Sequence, residues 1–412
     1  MTFYKLAMLL TLLYIPHPLM PYDDIHRFRP IYFFEEPHIR CDGLSNIYLS
    51  CAHGKADSAF SCDHNKVPLG DIFGINNLHD AAKGVASSIL NHPGGQILQN
   101  IITPSIDHCF AHLSFPGTFE MTELVLKGFQ NFVYGTFLTW YIPWRSLSLT
   151  INRPTDLTAP FAITSSWQQL LNKRESIFNT FQLSTDPYTR YGLGDVACSL
   201  GYAYSHDATT LDFIDMSVQL GIVFPTSCTF RPCHFFDIPL GYEGSLGYFG
   251  IFDASVGWYD WCTAGAHLQC LGFTPTQGIQ KIKTDSDQRG LFILQQDTMK
   301  IWQGGAYSGG VYLKADHVLL GLSFTLGYSI VVKTANHWAS ITTHQPYHIP
   351  DQRLGSWSMQ TMHIVLDYDC ATHSNPNAPR VGFIYNTAFR GSRSLATAVI
   401  GALWDMTIIW SF

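Results

Sequence analysis

Two short stretches, Cys51-Ala52-His53 and Cys62-Asp63-His64, set a thiol beside an imidazole, the two side chains that most often hold zinc. Their spacing fits no standard zinc knuckle, so no metal and no cofactor is expected. Asp285 and Asp287 in "TDSDQRG" lack the bidentate glutamate that would close a calcium loop. For nucleophilic catalysis the chain offers no serine in a strained Gly-x-Ser-x-Gly turn. His363, Asp367, His267 and Asp253 therefore read as polar groups lining an interior, and the chain reads as a non-enzyme. Cys228 and Cys233, five apart in the loop "SCTFRPCH", are the candidate disulfide, whereas Cys198, Cys262 and Cys270 fall on apolar strand faces and read as free thiols.

Strands must position these groups, because the apolar residues repeat with period two. In "VLLGLSFTLGYSI" the residues Leu320, Leu322, Phe324, Leu326, Tyr328 and Ile330 alternate with Gly321, Ser323, Thr325, Gly327 and Ser329. The pattern recurs in "DVACSLGYAY", "FIDMSVQLGIVF" and "QTMHIVLDYD", and less cleanly in "RVGFIYNTAF". A soluble sandwich would solvate its polar faces with Lys and Glu. Here those faces are Gly, Ser, Thr and Asp, and aromatics gather near strand ends at Trp140, Tyr141, Trp144, Tyr202, Tyr204, Trp258, Tyr259 and Trp261. Apolar faces turned to lipid, with aromatic girdles at both interfaces, explain the pattern.

Composition agrees. Of 412 residues only 13% are charged, about half the usual share of roughly a quarter, while 14% are aromatic. The net charge of -7 forms no basic stripe, which excludes nucleic acid as a partner. Residues 1–20 have the order of a secretory signal peptide: Lys5, an apolar run from Leu6 to Ile15, then prolines, although no small-residue cleavage site follows. That run is too short to span a bilayer as a helix.

Strands are expected near 132–149, 193–205, 211–225, 244–258, 261–273, 306–316, 318–332, 357–369, 380–390 and 400–412, and "CFAHLSF" and "TELVLKG" supply two more. The total is about 12, within a range of 10–14, and even as bacterial barrels require. Joins alternate between tight ("DH", "YDW") or moderate ("SHDATT", "CATHSNPNAP") and long (150–192, 226–243, 274–304, 333–355), with 391–399 the short exception. The expected fold is all-β: a transmembrane antiparallel up-and-down β-barrel over 106–412, preceded by a partly helical plug or periplasmic segment over 21–105. "HDAAKGVASSILNHPGG" supplies a short helix there, and "SSWQQLLNKRESIFNTF" a second, amphipathic one in a long loop.

The chain finishes "GALWDMTIIWSF", with Trp404, Met406, Ile408, Trp410 and Phe412 alternating to the last residue. This resembles the C-terminal signal of Gram-negative outer-membrane proteins, which the barrel-assembly machinery recognises. The resemblance implies residence in the bacterial outer membrane, in contact with its lipid. Porins are similar in alternation, and outer-membrane fatty-acid channels share an N-terminal plug, although their Asn-Pro-Ala motif is absent here. The inward set is then Asp195, Asp215, Asp253, His267, Asp316, His363, Asp367, Asp369 and Asp405, with Lys314, Arg380 and Arg390 as cations. Its seven aspartates against three bases favour cations or neutral solutes, unless the charges pair with one another. The expected function is passive passage of small solutes. The alternatives are a structural or surface-interaction barrel acting through its long loops, and a soluble sandwich. Oligomeric state and substrate are not legible.

Overall fold

The computed structural model describes residues 44–78, 80–81, 112–158, 168, 171–173, 175, 178–179, 183–207, 211–227, 234–259, 261–319, 321–341, 346, 348–370 and 379–409. The expected signal segment 1–20, Cys228, Cys233, Trp410, Phe412 and nearly all of the first expected helix lie outside these residues; the described residues of the second, 168, 171–173, 175 and 178–179, are helical.

Twelve wall strands close a barrel: β1 (Leu44–Ala56), β2 (Gly117–Asn131), β3 (Thr136–Ile151), β4 (Tyr188–Leu193, continuing as Val196–His206), β5 (Phe213–Phe224), β6 (Gly247–Trp258), β7 (Cys262–Phe273), β8 (Ala306–Leu319), β9 (Leu322–Lys333), β10 (Trp357–Asp369), β11 (Arg380–Ser392) and β12 (Ala398–Ile409). Each pairs antiparallel with its chain neighbour, and β1 pairs with β12 to complete the circle. The two segments of β4 lie end to end on β3: Tyr188–Leu193 pairs with Leu149–Trp144, and Ala197–Tyr202 pairs with Tyr141–Thr136. A closed wall leaves no backbone edge unpaired, which a hydrocarbon surround demands.

The alternation puts apolar side chains outside. Leu200, Leu220 and Leu268 are 61%, 69% and 58% exposed, while their chain neighbours Ser199, Gln219 and His267 are buried. Exposed aromatics collect at both ends of the wall: Tyr134, Tyr204, Tyr259, Trp261 and Tyr368 at one, Phe224, Tyr248, Tyr307 and Phe389 at the other.

The first end carries the short connections, 132–135, 207–212, 259–261, 320–321 and 370–379. At 132–135 the chain reverses through Tyr134 and Gly135 at φ 61° and 76°. Gly135 is required twice over, since a Cβ there would also overlap the carbonyl of Ala203.

The second end gathers the connections 57–116, 152–187, 225–246, 274–305, 334–356 and 393–397. Their described residues condense into a cap. Three small sheets stitch it: Ser58–Phe60 with Lys66–Pro68 and Ser394–Leu395; Asn76–Asn77 with His112–Ser114 and Thr155–Asp156; and Thr276–Ile282 with Gln295–Trp302 and His337–Ser340. Beneath them Phe73, Phe115, Phe178, Phe235, Phe236 and Phe292 pack with Leu69, Ile72 and Leu291 against the upper inward residues of β2 and β3, namely Phe119, Met121, Leu147 and Leu149. Phe60 does the same on the other side with Phe273, Trp357 and Met359.

Three expectations change. Leu44–Ala56, placed by sequence in the plug-like segment, is wall strand β1. Its outward face mixes Ile47 and Leu49 with Cys51, His53 and Lys55, so the contrast between faces is too weak to read as alternation. "CFAHLSF" makes no wall strand: His112–Ser114 pairs inside the cap. A helical plug is not seen among the described residues. What fills the cap end is loop structure, to which residues 57–78 contribute, with the helical Leu171 and Phe178 packed into it.

Candidate functional site

Inside the wall is a cavity of about 330 Å³. Its roof is Tyr242, whose ring packs on Phe273 at 4.5 Å, together with Val223, Phe249 and Leu271. Its sides include Tyr48, Tyr141, Tyr312, Val125, Ile384 and Leu403. Toward the short connections a second space of about 310 Å³ is lined by Lys314, Asp316, His317, Ser323, Asp369 and Arg380. Lys314 and Arg380 border both spaces, so the two meet at these side chains.

The period-two geometry of each strand aims the polar side chains inward, and the register places them opposite partners on neighbouring strands. Glu123 of β2 and Arg145 of β3 are opposite in register, and their side chains meet at 2.8 Å, both buried. Asp253 of β6 faces His267 of β7, with Oδ1 at 2.5 Å from Nδ1, and the Ser217 hydroxyl donates to its other oxygen at 3.3 Å. Lys314 and Asp316, two apart on β8, pair at 2.8 Å, and Ser323 of β9 donates to Asp316 at 3.0 Å. Arg380 of β11 reaches Asp367 of β10 at 2.5 Å.

Neutral groups continue the belt. The hydroxyls of Thr139 and Ser199 bond one another, and Ser199 donates to Gln219 at 3.1 Å. Ser308 donates to Gln269 at 3.4 Å. His363 bridges Ser329 at 2.7 Å and Asn386 at 2.9 Å, joining β9, β10 and β11. Much of the polar lining thus satisfies itself strand to strand, as groups held away from bulk water must.

The structure therefore places the sequence-derived inward residues in distinct settings. Asp195, Asp253, His267, Lys314, Asp367, Arg380 and Asp405 border the main cavity, and Asp316 and Asp369 border the second space. His363 is fully buried in the wall network, while Asp215 accepts from Ser205 at 2.6 Å near the short-connection end. Arg390 is exposed instead. Gln360 opposes Arg390 while Thr361 opposes Ala388, so Phe389 is an extra residue, and the bulge reverses the parity beyond it.

Sequence reasoning missed Glu123, Lys127 and Arg145. All three were legible, since Glu123, Val125 and Lys127 alternate with Leu124 and Leu126, and Tyr141, Pro143 and Arg145 alternate with Trp140, Ile142 and Trp144. Adding them changes the charge reading. The main cavity is bordered by five acids (Glu123, Asp195, Asp253, Asp367, Asp405) and four bases (Lys127, Arg145, Lys314, Arg380) besides His267, a near balance there, while with Asp316 and Asp369 the two spaces together keep an acidic excess of seven to four.

Of the five C-terminal residues expected to form the assembly signal, Trp404, Met406 and Ile408 lie on β12, with Trp404 exposed on the outer face. No group of three or more His, Cys, Asp or Glu with metal-binding geometry occurs among the described residues.

No protein-family model matches the chain, and no curated protein does. Solved structures match by shape. An outer membrane channel of Pseudomonas putida F1 aligns with a TM-score of 0.53 and 7% identity, over 90% of this chain and 97% of that one. The Pseudomonas putida toluene transporter TodX aligns over 95% of this chain and 99% of its own, at 8% identity and a TM-score of 0.33, too low to bear on the argument. What the chain demonstrably shares with the first of these is its barrel fold.

Proposed function

We propose that the protein is an integral barrel of the Gram-negative outer membrane that passes small solutes, and that its lumen favours uncharged, weakly polar molecules over ions. The observation that carries this reading is an inside-out barrel in which many interior charges are engaged across the wall: Glu123 with Arg145, Asp253 with His267, Asp316 with Lys314 and Asp367 with Arg380. An apolar exterior is stable only against lipid, and no other arrangement of a closed barrel explains Leu200, Leu220 and Leu268 on its outer face. Within, carboxylates and cations already engaged across strands present little free charge to an ion, while tyrosines and aliphatic residues supply contact for a neutral solute. The outer-facing alternation of β12 is the part of the chain suited to the barrel-assembly machinery. The reading involves no reaction and no cofactor.

The cap supports the surface-interaction alternative to the extent that it is a condensed structure and not a set of splayed loops. One comparison separates the two. Liposomes carrying the refolded protein should swell in small uncharged solutes while planar bilayers show little ionic current. A barrel that keeps its SDS-resistant mobility, yet gives neither swelling nor current, would leave the surface reading in its place.

A further inference from the structure

Tyr242, in the roof of the cavity, ends a short strap, Asp237–Tyr242, which three charged side chains hanging from β3 and β4 help to hold. Arg190 pairs with Asp237 at 3.0 Å and donates to the carbonyl of Ile238 at 3.1 Å. Arg145, oriented by Glu123, donates to the carbonyl of Leu240 at 2.5 Å. Asp195 accepts the backbone N–H of Tyr242 through one oxygen and that of Ser227, at 2.8 Å, through the other.

Asp195 sits where β4 is interrupted, between Leu193 and Val196, and is 3% exposed. The interruption frees it from the wall ladder and lets its carboxylate turn to the strap. Gly241 completes the fit, because a Cβ there would overlap the Asp195 carboxylate and the Ser227 hydroxyl. Ile238 and Leu240 are buried in the cap's phenylalanine core, which anchors that part of the strap, whereas its Gly241–Tyr242 end is held by the charge-assisted hydrogen bond to Asp195, which breaks and re-forms without repacking that core. Glu123, Arg145, Asp195 and Tyr242 all border the cavity, so whatever occupies it lies against the fastening.

We infer that the Gly241–Tyr242 end of the strap is the gate between the lumen and the cap side, and that Asp195 is its latch. The inference rests on the channel reading above. Opening consists of Tyr242 leaving Phe273 as its N–H leaves Asp195, with the wall unchanged.

The test is D195N in the full-length chain, which keeps the shape but turns one acceptor into an amide donor. Losing a charge-assisted bond should raise the open fraction, and the swelling rate, by about tenfold to a hundredfold. Hydrogen exchange at Tyr242 and Ser227 should accelerate while amides of the wall strands stay protected. A second variant, D195C/G241C, should be silent when oxidised, with the disulfide confirmed by mass, and should pass solute when reduced. Two results would overturn the latch: unchanged exchange at Tyr242 in D195N, or faster exchange with swelling equal to that of a wild type that itself passes solute. If the strap is released in D195N and neither D195N, the reduced double variant nor the wild type passes any solute, it is the channel reading that falls.

Discussion

The cap and the lumen both bury polar groups, but they join different distances along the chain. In the lumen nearly every pair links adjacent strands, as Glu123 to Arg145 and Asp253 to His267, on a scaffold already held by backbone ladders. In the cap one buried carboxylate, Asp71, ties together remote loops. It accepts from Ser114, from Asn76 at 2.9 Å and from the N–H of Phe115 at 3.3 Å, while Asn76 in turn accepts from the N–H of Leu291 at 2.7 Å. Removing a lumen pair perturbs a wall that stands without it. Removing a cap contact loosens loops that have no continuous backbone ladder to fall back on.

The sharpest way to expose that difference is Phe292→Ala. Its ring is fully buried, with Phe115, Phe178 and Phe235 at 5.2, 5.4 and 4.9 Å. The substitution should cost the cap about 3–5 kcal/mol. Protease should then cut the long connections while the folded barrel still shifts on boiling in SDS; loss of the shift as well would mean that cap and wall fold as one unit. Next, Leu220→Arg on the outer face should lower barrel stability in lipid by about 2–4 kcal/mol, measured by urea unfolding in vesicles. A neutral outcome would deny that this face meets hydrocarbon.

A smaller effect, about 1–3 kcal/mol, is expected of Asp71→Ala, which strands the donors of Ser114, Asn76 and Phe115. The cap should also respond to pH through two carboxyls of opposite sign. Burial holds Asp71 above its ordinary value of 3.8, despite hydrogen bonds from Ser114, Phe115 and Asn76. Its contribution is therefore complete below 3.8 and is lost as pH rises through the raised value. Asp351 is buried too, but the charge and hydrogen bonds of Arg353, with Lys283 nearby, outweigh burial and hold it below 3.8. It contributes above 3.8 and fails as pH falls through the lowered value. Proteolysis of the cap followed from pH 3 to 8 should show both limbs, and Asp71→Asn should flatten only the upper one. Least of all, Lys55→Ala should change nothing measurable, because its 2.8 Å pair with Glu120 is fully solvated on the outer rim.

Legibility followed the same divide. Where a strand contrasts strongly between faces, as β5 does with Met216, Val218, Leu220 and Ile222 against Ser217 and Gln219, sequence alone placed it and aimed its side chains. Where the contrast is diluted, as by His53 and Lys55 on β1, the strand went unseen. At Arg390 one bulged residue was enough to send a base predicted to face inward to the outside.

The roughly 12-stranded inside-out wall, the long and short ends and most inward aspartates were thus written in the sequence, because period two is a local property that each strand carries by itself. The pairing of Glu123 with Arg145, the phenylalanine core under the loops and the fastening of Tyr242 by Asp195 were decided only by the tertiary structure. Each joins residues across the sheet or across loops, and no local pattern records which distant partner a buried charge or ring will find.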